Sequence, residues 1–270
     1  MTVTEGVDVV ASIERLIRRD RIWIALGLVV TIGLAWTYLL REAAAMEAMV
    51  DEARRHAAMG MAGMNMRAWG VSDGAALFVM WTVMMIGMML PSASPVILLV
   101  LSSYRVRRDA QSRLAAVMFV GGYVLVWTAF SAFAAGGQLV LHRAAILSED
   151  MRLRSAVVSG TVLLLAGIYQ WLPIKNRCLI HCRTPLSFLT QQWRAGVRGG
   201  FVMGVRHGTY CVGCCWLLMV LLFVLGVMNL IWITILAALV LLEKLSPRGM
   251  LVSRLAGVAA AGWGGYLLMN

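Results

Sequence analysis

Charge is scarce in this chain. Only 14% of its residues are Asp, Glu, Lys or Arg, where soluble domains carry nearer a quarter. The shortage is greater on the acidic side, with 13 Asp and Glu against 24 Lys and Arg, and no carboxylate falls inside a predicted apolar span. A proton relay or an ion-coupled transporter therefore lacks its usual parts. There is no Gly-rich phosphate loop, nucleophile elbow or paired-carboxylate site, and no pair of histidines is placed to grip a heme between mid-membrane helices. Hydrolytic enzyme readings rank last. Five cysteines is an odd number without regular spacing, which argues against a secreted disulfide scaffold.

What the chain has instead is apolar length. It is 61% hydrophobic, with a mean hydropathy of +0.81. Seven apolar segments are predicted as membrane helices: 22–40, 75–101, 114–141, 156–172, 208–225, 230–242 (a short one) and 252–269. Most are near or above the roughly 20 residues that span a bilayer. Pro91 and Pro95 interrupt the second, and Pro173 ends the fourth. The expectation is an all-α polytopic membrane helix bundle of about seven transmembrane helices. Its parts are a cytoplasmic segment, 1–21; a signal-anchor helix with a Met-rich outer loop, 22–73; and a six-helix membrane domain, 74–270, with a Cys-rich cytoplasmic loop at 173–215. Within that loop, 187–197 reads as an interfacial helix with Phe188, Leu189 and Trp193 toward lipid.

The +11 net charge could suggest nucleic acid, but the basic residues stand in short groups between apolar runs. Most of the 24 fall on the side of 1–21, 105–113, 175–206 and 244–254. The positive-inside rule then puts the N-terminus in the cytoplasm and the protein in a bacterial inner membrane, with the lipid bilayer as partner and no nucleic acid.

All five cysteines, Cys178, Cys182, Cys211, Cys214 and Cys215, lie in one short window with His181 and His207. Cys211 is one helical turn from both Cys214 and Cys215, and Cys178 is one turn from Cys182. Lys175 and Arg183 supply positive charge that favours thiolates. Soft thiolates select Cu(I), Zn(II) or an iron–sulfur cluster. The plainer reading is that buried cysteines act as small hydrophobes. The confinement of every cysteine to two helix ends speaks for a site.

Methionine is plentiful, at 19 residues. Met59, Met61, Met64 and Met66 stand among glycines in the outer loop, where thioethers can wrap a soft ion and His56 can join them. Met80, Met84 and Met88 recur every fourth position on the second span, beside Met85 and Met89. That stripe reads first as a packing seam, because Met fills irregular gaps.

The run Met84-Met85-Ile86-Gly87-Met88-Met89-Leu90-Pro91-Ser92-Ala93-Ser94-Pro95 resembles the signature of a bacterial family of predicted metal-binding integral membrane proteins, domain of unknown function 2182. The stretch Gly167 to Cys178 with Cys182-Arg183-Thr184-Pro185, and that from Gly208 through Cys211 and Gly213-Cys214-Cys215-Trp216 to Asn229, are similar to two more of its motifs. The resemblance covers most of 75–245 and implies a polytopic helical domain that binds metal.

The leading expectation is a membrane protein that binds copper as Cu(I) at the cysteines and transfers it or keeps it in balance, more a carrier than an enzyme, with a copper chaperone or a larger membrane complex as partner. Two alternatives remain: an accessory or assembly subunit of a larger membrane complex, and a membrane thiol redox carrier.

Overall fold

Apolar runs this long fold as helices, because in a setting without water the backbone must satisfy itself. A computed structural model describes residues 3–59, 71–107, 109, 111–148 and 151–270, with side chains from 21 onward except at 53, 57 and 71. The helices are α1 (Val3–Ala58), α2 (Val71–Val106), α3 (Ser112–Arg143), α4 (Ala156–Tyr169), α5 (Pro173–Arg183), α6 (Pro185–Gln192), α7 (Gly196–Val220), α8 (Leu222–Leu225), α9 (Leu230–Leu245) and α10 (Gly249–Met269). Among the described residues the only strand-like pairing is a bridge between Leu147 and Leu153. The all-α bundle is therefore the fold. Five helices are long and apolar enough to cross a membrane, or six if α4 and α5, bent by 62° at Pro173, count as one crossing. At 16 residues α9 is shorter than these.

The helix α2 runs straight through Pro91 and Pro95. A proline has no N–H, so each one frees a carbonyl a turn earlier. The carbonyl freed by Pro91 is that of Gly87, and it accepts the indole N–H of Trp36 from α1 at 3.3 Å. Ser92 and Ser94 donate to the Met89 and Leu90 carbonyls at 2.9 and 2.8 Å. The gap that Pro91 leaves is thus filled from α1, and the predicted interruption becomes a docking point for that helix.

The most extensive interface is that of α3 with α7, and it depends on missing side chains. A Cβ at Gly204 would stand 2.0 Å from the Phe119 carbonyl oxygen, and one at Gly200 would stand 2.1 Å from that of Ala115. From the other side, a Cβ at Gly122 would meet the Phe201 carbonyl at 2.3 Å. Small residues let helix backbones approach closely, and this approach sets the register that brings Tyr123 beside Cys211. Gly204→Ala is expected to lower the stability of the purified protein by about 1–3 kcal/mol, the usual cost of overpacking. Gly121→Ala, whose Cβ meets nothing within 4 Å, is the control, and thermal unfolding compares the two.

The stretch expected as a large basic loop is helical, as α5, α6 and the first half of α7. The interfacial helix is displaced to Pro185–Gln192 and faces inward: Phe188 and Leu189 are buried. They turn away from lipid because Phe188 closes edge-on over the His207 ring, 5.2 Å between centroids. Trp193 packs on Tyr104 at 4.6 Å, under the Arg107 guanidinium.

Candidate metal centre

The inner face of α7 carries Gly204, His207, Cys211, Cys214 and Cys215, all buried. Because α7 begins at Gly196 rather than near Gly208, Cys211 stands about 22 Å along the helix, at 1.5 Å per residue. The thiols are therefore deep in the bundle, not at a helix start. From α5, Cys182 reaches the same place. Cys182, Cys211, Cys214 and Cys215 are buried in one core cluster. The Cys214 and Cys215 thiols donate to the Cys211 carbonyl at 3.1 and 2.9 Å, the usual back-bonding of a hydroxyl or thiol inside a helix.

Cys178 is half-buried one turn earlier on α5. Its sulfur lies 2.9 Å from where a Cβ of Gly213 would be, so the glycine leaves the slot in which it sits. Tyr169 donates its hydroxyl to the Gly213 carbonyl, which pins that part of α7. All five cysteines are free thiols.

Two polar side chains converge on the Cys211 sulfur, and a third stands behind one of them. The Lys244 ammonium donates to its sulfur at 2.9 Å and to the Ser92 hydroxyl at 3.0 Å. The Tyr123 hydroxyl lies 3.0 Å from the same sulfur and 3.2 Å from the Met89 carbonyl. Lys244 and Tyr123 are almost fully buried, so the ammonium needs negative charge close by. The Cys211 sulfur is the group facing it that can carry such charge.

The sequence assigned this duty to Lys175 and Arg183, and the structure uses them otherwise. Lys175 sits between both oxygens of Glu243, each at 2.9 Å, and the Gln170 side-chain oxygen. Ser253 donates to that same oxygen at 3.0 Å. Arg183 donates to the Ser246 and Pro247 carbonyls at 2.7 and 2.9 Å, tying α5 to the turn before α10. Neighbours on α9, Glu243 and Lys244 thus point into two different buried clusters. Lys244, Tyr123 and Ser92 were missed in the sequence, where Lys244 looked like an end-of-helix charge.

The two histidines differ. His207 is buried one turn from Cys211, in a cage of Phe119, Tyr123 and Phe188 rings, and its Nδ1 has no hydrogen-bond partner among the described residues. His181 turns outward, its Nδ1 2.8 Å from the Arg177 carbonyl and its ring stacked on Tyr210 at 4.4 Å. Met59 is exposed just past the end of α1, while Met61, Met64 and Met66 lie outside the described residues. Met80, Met84, Met85, Met88 and Met89 are all buried in the core.

Among the described residues no three His, Cys, Asp or Glu side chains stand as a ready-formed metal cage. The Cys214 and Cys215 thiols face the Cys211 carbonyl instead of a common centre. Chemically the cluster is a soft donor set with a cation beside it, able to take a thiophilic ion or to exchange thiols.

No curated protein and no solved structure matches the chain. A family model described as PpoB2, copper chaperone, matches residues 78–267. That range takes in all five cysteines together with Tyr123, Lys175, Glu243 and Lys244. With about two-thirds of its length matched, the chain belongs to the PpoB2 copper chaperone family.

Proposed function

We propose that this protein is an integral membrane copper chaperone that binds Cu(I) through the cysteines gathered at Cys211 and passes it to an acceptor. The observation that carries the reading is the buried Cys211 sulfur, 2.9 Å from the Lys244 ammonium and 3.0 Å from the Tyr123 hydroxyl, in one core cluster with Cys182, Cys214 and Cys215. Thiolate sulfur selects Cu(I) over hard divalent ions, and Cu(I) accepts a low-coordinate sulfur environment. Cys214 and Cys215 turn their thiols off the Cys211 carbonyl by rotation about χ1 to join it. Cys182 comes from a separate helix, and Cys178 and His207 stand by as further donors. In the orientation set by the basic residues, the N-terminus is cytoplasmic, the membrane is the bacterial inner membrane, and the Met59–Met66 stretch faces outside.

The test is elemental analysis of protein purified without chelator. Copper should be the metal found, and the Cys182→Ser/Cys214→Ser double variant should lose it. Unchanged copper stoichiometry in a folded double variant sinks the reading. Bound zinc or iron in place of copper corrects the metal and leaves the sulfur site.

A further inference from the structure

At the other end of the bundle a cavity of about 480 Å³ opens between α1, the start of α2, the end of α3 and the turn before α9. Five of its 13 lining residues are methionine, against 19 in the 270-residue chain: Met46, Met49, Met80, Met151 and Met228. Met46 and Met49 share one face of α1 and the others come from three further places, so no single helix periodicity puts all five together. Glu42 and Asp73 add two carboxylates to the lining.

One of these methionines is brought in by costly backbone. Met151 has φ +55, a left-handed conformation for a non-glycine residue, and such positions cost of order 1–3 kcal/mol and cluster at functional sites. Its loop is held by the bridge between Leu147 and Leu153 and by the Leu153 amide donating to the Phe223 carbonyl at 2.9 Å. The outcome is a Met151 side chain only 6% exposed, turned into the cavity rather than away from it. Met228 follows Gly226, whose φ of +103 allows the tight turn ending at Asn229.

We propose that this methionine cavity is a loading site for Cu(I), held by the thioethers of Met46, Met80, Met151 and Met228. The assignment rests on the copper reading above. In the proposed orientation the cavity opens outside, where thiols oxidise and thioethers keep their affinity for soft monovalent ions. Met80 is both its floor and the first member of the buried column Met84, Met88 and Met89 on α2. From Met80 to Met89 is about 14 Å along the helix, and the Met89 carbonyl already shares Tyr123 with Cys211. The cavity and the cysteines are the two ends of one sulfur-lined route.

The experiment is X-ray absorption at the copper edge on the full chain, labelled with selenomethionine and loaded with Cu(I). Scattering from selenium reports the cavity, and scattering from sulfur reports the cysteines, so the two readings fail separately. Copper–selenium scattering should appear, and should vanish in Met46→Leu/Met151→Leu/Met228→Leu with Cu(I) affinity there down roughly 10–100-fold or more, since losing outer-shell partners alone costs that much. If that variant does not fold, Met46→Leu/Met49→Leu, both on the accessible side of α1, decides by a reduced selenium signal. No selenium signal in the parent, or an undiminished one in a folded variant, overturns the proposal. Selenium scattering without a sulfur shell keeps it and removes the cysteine site.

Discussion

Replacing Cys211 by serine is expected to weaken Cu(I) binding by more than about a hundredfold, since loss of outer-shell partners already costs 10–100-fold and this is the sulfur at the centre. The substitution is small in volume, so the bundle should remain intact. What changes is the donor: a hydroxyl is hard where the thiolate is soft. It also leaves Lys244 facing a neutral oxygen instead of sulfur, with the Ser92 hydroxyl still accepting from it. Competition against a Cu(I) chelator of known affinity measures the loss. The same substitution at Cys178, which sits against Gly213 away from Lys244, should cost less. A Cys211→Ser protein that competes as well as the parent would mean the sulfurs are packing residues.

The second large effect is on stability. Glu243→Ala is expected to destabilise the protein by about 3–5 kcal/mol, the cost of leaving one partner of a buried ion pair without the other. Lys175 and Glu243 are 0% and 1% exposed, so solvent cannot take over for the missing carboxylate. The Gln170 oxygen remains, but a neutral acceptor does not balance an ammonium. At roughly 2–4 °C per kcal/mol for a chain of this order of size, the melting temperature in mild detergent should fall by about 6–20 °C. The paired variant Lys175→Met/Glu243→Leu removes both charges and should recover much of the loss, as buried pairs replaced by apolar residues often do. A double variant no more stable than Glu243→Ala would show that the network does more than compensate charge. Copper binding should fall with Glu243→Ala too, because the clamp on Glu243 holds the adjacent Lys244 at Cys211.

Much of the bundle was readable in advance. All seven apolar segments lie largely in helices, although five of these, or six with the bent pair, are long and apolar enough to cross a membrane. The start of α9 at Asn229 follows from a side chain that caps the Ile231 and Trp232 amides at 3.1 and 3.3 Å. The misjudged stretch was 174–206. Its arginines and glycines look like a loop to any reading of hydropathy, yet the glycines there are contact surfaces for α3, and Pro173 and Pro185 open helices α5 and α6. Phe188 was assigned to lipid because nothing local distinguishes a lipid-facing ring from one that covers a buried histidine.

The cysteine group was legible for a simple reason: spacing along a helix determines which thiols share a face, and Cys211, Cys214 and Cys215 needed no partner helix to be placed together. The cation serving them was not. Lys175, Arg183 and Lys244 are equally plausible from sequence, since each stands near an end of an apolar run. Only the packing of α9 against α2, α5 and α7 decided that Glu243 turns to Lys175 and Lys244 turns to Cys211. The methionine cavity is the extreme case, with methionines from four places that no single periodicity connects. Composition and hydrophobic pattern by themselves determined helices, their order and the sulfur-rich segment, because those depend on neighbours along the chain. Which buried charge meets which sulfur was settled by tertiary structure alone, because it depends on helix rotation and register, and these are set by close glycine contacts between distant segments.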